Sequence, residues 1–301
     1  MTHVRVRALV FVSSVGMLLS AFSVEAPAAP ARIAAAPTIT HRARISVAPD
    51  ARGARGVRST WTSENWSGYA ESGTFTGVTG TWTVPAVAST SSSTYSSTWI
   101  GVDGLSNQDL IQTGTEQDYY SGATHYGAWW EILPASETVI SPRTDVVQAG
   151  DRMTASIYET STTTTTSRGR RSRSSTEHLW SIAIKDTTEN WSFSTSQPYT
   201  GPGASAEWIM EAPEINGRIA TLSHYTFSPP TSTGDFDNAG FLTSVVSSGS
   251  PTYTTAALSY QNDAGAMIQN GAQVSTPGDP DGAQTAFNVG YGSSLPGTPA
   301  G

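Results

Sequence analysis

The chain has 301 residues, no cysteine and a formal net charge of −8. The lack of cysteine excludes disulfides, thiol catalysis and zinc-thiolate sites, so a domain of this length must be held together by its hydrophobic core. Residues 61–301 hold 8 basic and 22 acidic residues; this balance disfavours nucleic acid as a partner and suits an acidic medium, where protonation relieves self-repulsion.

The first sixty residues predict two segments outside the main domain. Arg5 and Arg7 precede an apolar run from Ala8 to Phe22, and small residues follow. This pattern predicts a secretory signal peptide over residues 1–26, because the run is short for a membrane span. Residues 27–60 are rich in Ala, Pro and Arg, and they predict a disordered propeptide whose basic charge could lie against the acidic body. We therefore expect a secreted, extracellular protein without stable membrane association once the signal is removed.

From Trp61 onward, short β-branched and aromatic runs are broken by Gly, Pro, Asn or Asp. Such runs predict strands at residues 80–84, 96–103, 153–158, 179–185 and 191–194,. The last two predict a hairpin around residues 186–190. No stretch sustains a helical period, so we expect one all-β domain over residues 61–287, built as an antiparallel two-sheet sandwich. Low complexity predicts a loop over residues 160–175, and Gly, Ser and Pro predict a flexible tail over residues 288–301.

Three stretches predict a groove, because side chains alternate between the two faces of a strand. They are Trp99–Gly114, His125–Pro134 and Ala206–Pro213. The predicted core faces carry Ile100, Val102, Ile111, Ala128, Trp130, Trp208 and Met210. The opposite faces carry Trp99, Asp103, Gln112, Trp129, Glu131, Glu207, Ile209 and Glu211. Tryptophan mixed with acids and an amide is typical of a groove floor, whereas an ordinary solvated face carries Thr, Ser and Lys.

The residues alone leave three interpretations of this groove open. Glu131 and Glu211 could be the acid and nucleophile of a retaining glycosidase, with Trp99 and Trp129 stacking on sugars. Alternatively, one glutamate activates a water while an amide, for which Gln112 is the best candidate, stabilises the oxyanion of peptide hydrolysis. A lectin-like polysaccharide-binding module that cleaves nothing is the third interpretation.

Four motifs together resemble the glutamic peptidases, or eqolisins, of the scytalidoglutamic peptidase type. They are WIGVDG, then LIQTG, then AWWE with a proline three residues on, then AEWIMEAP, within a similarity from about Asn65 to Pro213. The resemblance implies a concanavalin A-like (lectin/glucanase, jelly-roll) sandwich and a catalytic dyad of Gln112 and Glu211. It also implies the supporting groove residues Trp66, Trp99, Asp103, Trp129 and Glu131. The chain lacks the cysteines of the fungal members and adds the insert at residues 160–175.

The reaction that the resemblance implies is hydrolysis of peptide bonds in protein substrates, without metal or cofactor. Glu211 takes a proton from a water held between it and Gln112, the Gln112 amide donates to the developing oxyanion, and Glu211 returns the proton to the leaving nitrogen. A free glutamate titrates at about pH 4.3, and the nearby Asp103 and Glu131 would spread the titrations apart. Activity in acid and a monomeric protein are therefore expected.

Overall fold

The β-branched and aromatic runs form strands throughout the part of the chain that the structure describes. This computed structural model describes residues 37–48, 59–167, 173–226, 238–247 and 253–299. The first strands are β1 (Ile39–Thr40), β2 (Trp61–Ser63), β3 (Trp66–Ser72), β4 (Gly77–Thr83), β5 (Ala86–Val87), β6 (Ser97–Val102), β7 (Ile111–Tyr120), β8 (Ala123–Ile132), β9 (Thr138–Val139), β10 (Arg152–Ser167) and β11 (Arg173–Asp186). The later elements are β12 (Trp191–Pro198), β13 (Ser205–Glu211), β14 (Glu214–Ile215), β15 (Arg218–Ile219), β16 (Tyr225–Thr226), β17 (Asn238–Ser247), β18 (Tyr253–Thr255), the helical turn α1 (Tyr260–Asp263), β19 (Ala264–Gln269), β20 (Ala272–Pro277) and β21 (Phe287–Tyr291).

Most strands pair into one long sheet. Its order is β12-β11-β10-β4-β17-β21-β20-β19-β3-β13-β6-β7-β8-β9, with β18 beside β17 and β2 beside β19. Strands β1-β14-β15 and β5-β16 form two small sheets that do not pair with the long one. Among the strands named above, every pairing is antiparallel except that of β2 with β19. The predicted hairpin of β11 and β12 is present, with Asp186 opposite Trp191.

The long sheet folds over on itself and encloses the main core. Trp82 of β4 lies in the same buried cluster as Ile100 of β6 and Trp208 of β13, which are distant from β4 along the sheet. The Trp82 indole N–H donates across the layers to Thr115 Oγ1 at 3.0 Å, and that of Trp208 donates to the Thr79 carbonyl oxygen at 2.8 Å. Each such buried side chain contributes roughly 1.5–3 kcal/mol through the hydrophobic effect. The predicted all-β sandwich is thereby confirmed.

The other face of β3, β13, β6, β7 and β8 carries a second apolar cluster. It consists of Trp66, Trp99, Leu110, Trp129 and Ile209, all buried. The predicted alternation is confirmed, since the residues assigned to the core face of these strands pack in the main cluster. Strands β3, β13, β6, β7 and β8 therefore have a packed side and a groove side.

Three predicted irregular segments contain regular structure instead. Strands β10 and β11 continue as a ladder through the Thr-rich insert, up to Ser167 opposite Arg173, because β-branched threonines favour extended pairing even when they are exposed. Strand β21 continues from Phe287 into the predicted tail, where Val289 is buried. Residues 37–48 are extended and partly paired where the sequence predicts disorder.

The described residues bear only in part on the predicted signal peptide and on membrane association. The predicted signal peptide lies outside the described residues. In the described ranges, no helix is long and apolar enough to cross a membrane.

Candidate active site

Strand register arranges the groove floor in three rows across β13, β6, β7 and β8. The middle row is Ile209, Trp99, Gly114 and Trp129; one flanking row is Glu207, Gly101, Gln112 and Glu131; the other is Glu211, Ser97, Glu116 and Gly127. A Cβ on Gly114 would lie 2.4 Å from the Trp99 Cβ. The indoles of Trp99 and Trp129 therefore fit side by side only because the residue between them is glycine.

Gln112 and Glu131 are cross-strand partners and form a hydrogen-bonded pair. The Gln112 amide nitrogen donates to Glu131 Oε2 at 2.8 Å. Both side chains are buried. Burial raises the pKa of Glu131 to about 8, although nearby His41 acts in the opposite direction. Glu131 therefore fixes the orientation of the Gln112 amide while leaving its second N–H free for another acceptor.

Glu211 lies at the end of β13 and is held by Trp99 of the floor and by Asn65, which lies just before β3. The Trp99 indole N–H donates to Glu211 Oε2 at 2.8 Å, and the Asn65 amide donates to Oε1 at 3.4 Å. Trp66 packs edge-on against Trp99, with ring centroids 4.9 Å apart. Glu211 is thus a buried carboxylate whose position is set by the tryptophan cluster.

Asp103 is also buried, but its contacts are with a loop. It has a φ of 75°, a left-handed conformation that Asp tolerates better than most residues,. Its carboxylate accepts hydrogen bonds from Tyr199 Oη at 2.7 Å and from the backbone N–H groups of Gly203 and Ala204 at 2.9 and 2.8 Å. Within the described contacts it bonds to neither member of the expected dyad. It anchors residues 199–204 beside the groove.

His41 fills the centre of the groove, where the sequence predicted no site residue. Its ring stacks on Trp129 with centroids 3.6 Å apart and planes inclined by 11°. Nδ1 lies 2.9 Å from Glu211 Oε2, while Nε2 lies 3.0 Å from Glu116 Oε1 and 3.5 Å from Glu137 Oε2. The His41 backbone N–H donates to Glu131 Oε2 at 3.2 Å. Gln112 and Glu211 share no direct hydrogen bond in the described structure; Glu131 and His41 connect them.

Residues 37–48, here called the blocking segment, run from strand β1 past Glu131 and Glu211 to a bridge between Ser46 and Ser63. Strand β1 pairs with β14, so that Thr40 lies opposite Glu214. The Arg42 N–H donates to Glu211 Oε1 at 3.1 Å, and its guanidinium pairs with Glu214 at 2.8 and 2.9 Å. Further along, the Arg44 N–H donates to the Gly104 carbonyl at 3.0 Å. Main-chain bonding to both rims is how grooves hold extended peptides.

Charge explains why a histidine occupies this position. Burial lowers the pKa of His41, but the carboxylates of Glu211 and Glu116 outweigh it, so the pKa is well above its ordinary value of 6.5. Burial raises the pKa of Glu116 to about 7, and His41 again opposes the shift. The ring is therefore a buried imidazolium among carboxyl groups, which is tolerable only because it is paired.

The ligand atoms of His41, Glu116 and Glu137 all lie within 4.8 Å of one another and could in principle hold a metal ion. Metal binding needs a neutral imidazole, whereas the pKa of His41 is raised. An ion pair accounts better for this group.

The sequence contained signals for the residues that were missed. Glu116 continues the alternation of β7 that begins at Gln112 and Gly114. In the blocking segment the side chains alternate strictly, with Ile39, His41 and Ala43 buried and the intervening ones more exposed. Arg42 and Arg44 alternate with these buried residues, and their charge makes the buried face hard to recognise in the sequence.

Comparison with known proteins gives a consistent result. Aspergillopepsin-2 from Aspergillus niger is 32% identical over 120 residues, which cover 33% of this chain and 42% of that protein. Two crystal structures of scytalido-glutamic peptidase with transition-state analogues have TM-scores of 0.56 and 0.52 at 23% and 22% identity, and each match covers 76% of this chain and 98% of the other. They share its fold. The model of the Peptidase A4 family matches residues 64–279, well over half of the sequence, and the chain therefore belongs to the Peptidase A4 family.

Proposed function

We propose that this protein is a secreted, acid-acting glutamic endopeptidase made as a zymogen, with residues 37–48 as its blocking segment. The observation that carries the proposal is an extended peptide lying in the groove, with one backbone N–H on Glu131 and the next on Glu211. The family supports the peptidase assignment over the glycosidase and the lectin-like alternatives. By the same likeness, the sandwich is proposed to have the concanavalin A-like, jelly-roll topology.

The proposed reaction begins when the blocking segment leaves and a water takes its place between Gln112 and Glu211. The Glu211 carboxylate accepts a proton from this water, whose oxygen attacks the scissile carbonyl carbon. The second N–H of Gln112, left free by Glu131, donates to the oxyanion. Protonated Glu211 then transfers its proton to the leaving nitrogen as the C–N bond breaks. Proton transfer by one carboxyl in both directions is ordinary general base and acid catalysis.

Activity in acid follows from the same set of carboxyl groups. The pKa values of about 7 for Glu116 and about 8 for Glu131 mean that both are neutral in acid. Neither of them then repels the Glu211 carboxylate.

The decisive experiment is Glu211→Gln in the full chain, assayed with denatured casein at about pH 4, near the free-glutamate pKa. We expect hydrolysis to be abolished, because the amide cannot carry the proton, while the near-ultraviolet circular dichroism stays unchanged. Glu177→Gln, an exposed glutamate of β11, is the matched control and should retain full activity. Normal hydrolysis by Glu211→Gln would reject the mechanism, and hydrolysis of glucans by the parent protein would favour a glycosidase.

A further inference from the structure

The pocket that receives His41 contains carboxyl groups for which the rest of the fold provides no partner. Among the described residues, no group donates a hydrogen bond to either oxygen of Glu116 or to Oε2 of Glu137. The group nearest to them is His41 Nε2, at 3.0 and 3.5 Å. Glu116 is 7% exposed. Buried carboxyl groups without partners are costly, so this pair has no structural reason to exist there. A ligand that brings hydrogen-bond donors to Glu116 and Glu137 would explain their presence there.

The shape of the pocket restricts what that ligand is. Trp129 provides a flat wall, and the acids Glu116 and Glu137 lie at one edge of the stacked ring with Glu211 at the other. An imidazolium is flat, cationic and carries an N–H on each side. It stacks on the wall, and its two nitrogens lie at ion-pair distances from the acids at both edges. A phenyl ring would stack on Trp129 but leave the acids without donors. A lysine would offer a point charge and no flat face.

The main chain fixes where this pocket lies relative to the reacting bond. The N–H of Arg42, the residue after His41, donates to Glu211 Oε1. In the proposed reaction Glu211 delivers its proton to the leaving nitrogen, and Arg42 N occupies that place for the peptide bond between His41 and Arg42. The side chain in the pocket therefore belongs to the residue on the N-terminal side of the bond.

We propose that Trp129, Glu116 and Glu137 form a subsite that selects histidine immediately before the peptide bond that the groove cleaves. The inference deepens the proposed function and depends on it. Beside this subsite lies a cavity of about 350 Å³, which is lined in part by Ile39, Tyr126 and Glu137. The blocking segment then acts as a substrate-like occupant.

The first test is the cleavage profile of denatured casein in acid, read by mass spectrometry of the products. We expect bonds that follow histidine to be cut about tenfold more often than bonds that follow phenylalanine or leucine, relative to their abundance, because a site built for polar partners rejects side chains without them. In the double variant Glu116→Gln/Glu137→Gln the ratio of cuts after histidine to cuts after phenylalanine or leucine should fall to the ratio of their abundances. Glu177→Gln is the matched control. Equal cutting at all residues, or an unchanged histidine preference in the double variant, would overturn the subsite and leave the peptidase assignment intact.

A second test does not need catalysis and so separates the two proposals. His41→Gly in the full chain leaves a space of the size of the lost ring, and imidazole is the probe, at about pH 6 where much of it is protonated. We expect saturable quenching of tryptophan fluorescence, weakened about tenfold when Glu116→Gln is added. Absence of saturable binding would contradict the subsite. Binding without any casein hydrolysis by the parent chain would instead contradict the proposed function.

Discussion

At the scale of single residues, the groove depends on a position that has no side chain. Gly114 lies between Trp99 and Trp129 in the middle row of the floor, and a Cβ there would also lie 2.4 Å from the Thr98 carbonyl oxygen. Real Cβ atoms do not approach backbone so closely, so a side chain must push the strands or the indoles apart. Trp99 holds Glu211 through its indole N–H, and its displacement would move the carboxylate to which we assign proton transfer.

We therefore predict that Gly114→Ala lowers acid hydrolysis of casein at least tenfold and destabilises the fold by about 1–3 kcal/mol, the range for overpacking a core. Activity and urea denaturation measure the two effects. Gly282→Ala is the matched control, because a Cβ at that glycine meets no atom within 4 Å. Equal activity and stability of the two variants would show that the indoles do not need this space.

The site could be predicted from the sequence only as far as local patterns allow. Alternation correctly placed Trp99, Trp129 and Glu131 on one face, because the period of a strand is local. The position of His41 depends on partners that lie 90 and 170 residues away. No local pattern contains that information, and the arginines of its segment made the segment look merely basic.

At the scale of elements, the blocking segment is held by a pH-dependent contact. Burial raises the pKa values of Glu116 and Glu131, and His41 opposes that rise. Burial lowers the pKa of His41 itself, but its carboxyl partners raise it well above the ordinary value. A histidine shifted in this direction favours the bound segment fully below about pH 6.5 and loses that contribution as the pH rises through its raised pKa. His41 therefore stays charged in acid.

We predict that the full chain shows a lag before it hydrolyses casein after transfer to about pH 4, and that His41→Ala shortens this lag about tenfold. Removing one partner of a buried ion pair typically costs about 3–5 kcal/mol, here in the bound state of the segment. Progress curves measure the lag. Ser46→Ala, at an exposed position of the same segment, is the control. A lag that is unchanged or longer in His41→Ala would rule out this histidine as the contact that keeps the groove closed.

For the hairpin of β10 and β11 we expect that shortening costs little stability, because its residues 160–165 and 175–177 are exposed. Ser161 pairs directly with Leu179, so replacing Thr162–His178 by Asn-Gly would close the hairpin with a favoured two-residue turn. The lost ion pair of His178 with Glu159, at 2.6 Å on the surface, is worth at most about 1 kcal/mol. We expect the midpoint of thermal unfolding to fall by no more than roughly 2–4 °C, measured by calorimetry, with activity retained. A larger loss would mean that the insert stabilises the sandwich.

The strands themselves were the most predictable elements, and the irregular segments the least. The runs that became β4, β6 and β12 have β-branched or aromatic residues bounded by turn residues, which is a local signal. The insert and the start of the tail were misjudged because Thr, Ser and Gly suggest loops by composition, whereas Val289 is fixed by packing against the distant core. The composition of a segment carries no information about the distant residues against which the segment packs.

At the scale of the whole molecule, the buried acids set the direction in which stability changes with pH. Burial raises the pKa of Glu207 well above its usual value, and those of Glu116 and Glu131 to about 7 and 8. A carboxyl group raised in the folded state contributes stability that is fully present below its unfolded pKa of about 4.3 and is lost as the pH rises through the folded value. All three groups act in the same direction.

We predict that the thermal midpoint is several degrees higher at about pH 5 than at about pH 8, given that 1 kcal/mol moves it by roughly 2–4 °C in a domain of this size. Glu207→Gln should reduce this difference by raising the midpoint at the higher pH, because the amide stays neutral. Glu189→Gln, in the exposed turn between β11 and β12, is the control. A midpoint that is lower at about pH 5 than at about pH 8 would contradict the assignment of these carboxyl groups as neutral in the folded protein.

The position of the blocking segment near the start of the chain also bears on biosynthesis. Ribosomes add residues from the N-terminus onward, so residues 37–48 exist long before β13 brings Glu211 to the floor beside Trp66 and Trp99. Under the proposed function, the segment that covers Glu211 is therefore always made before Glu211 itself. When the groove is completed, its cover already exists in the same molecule.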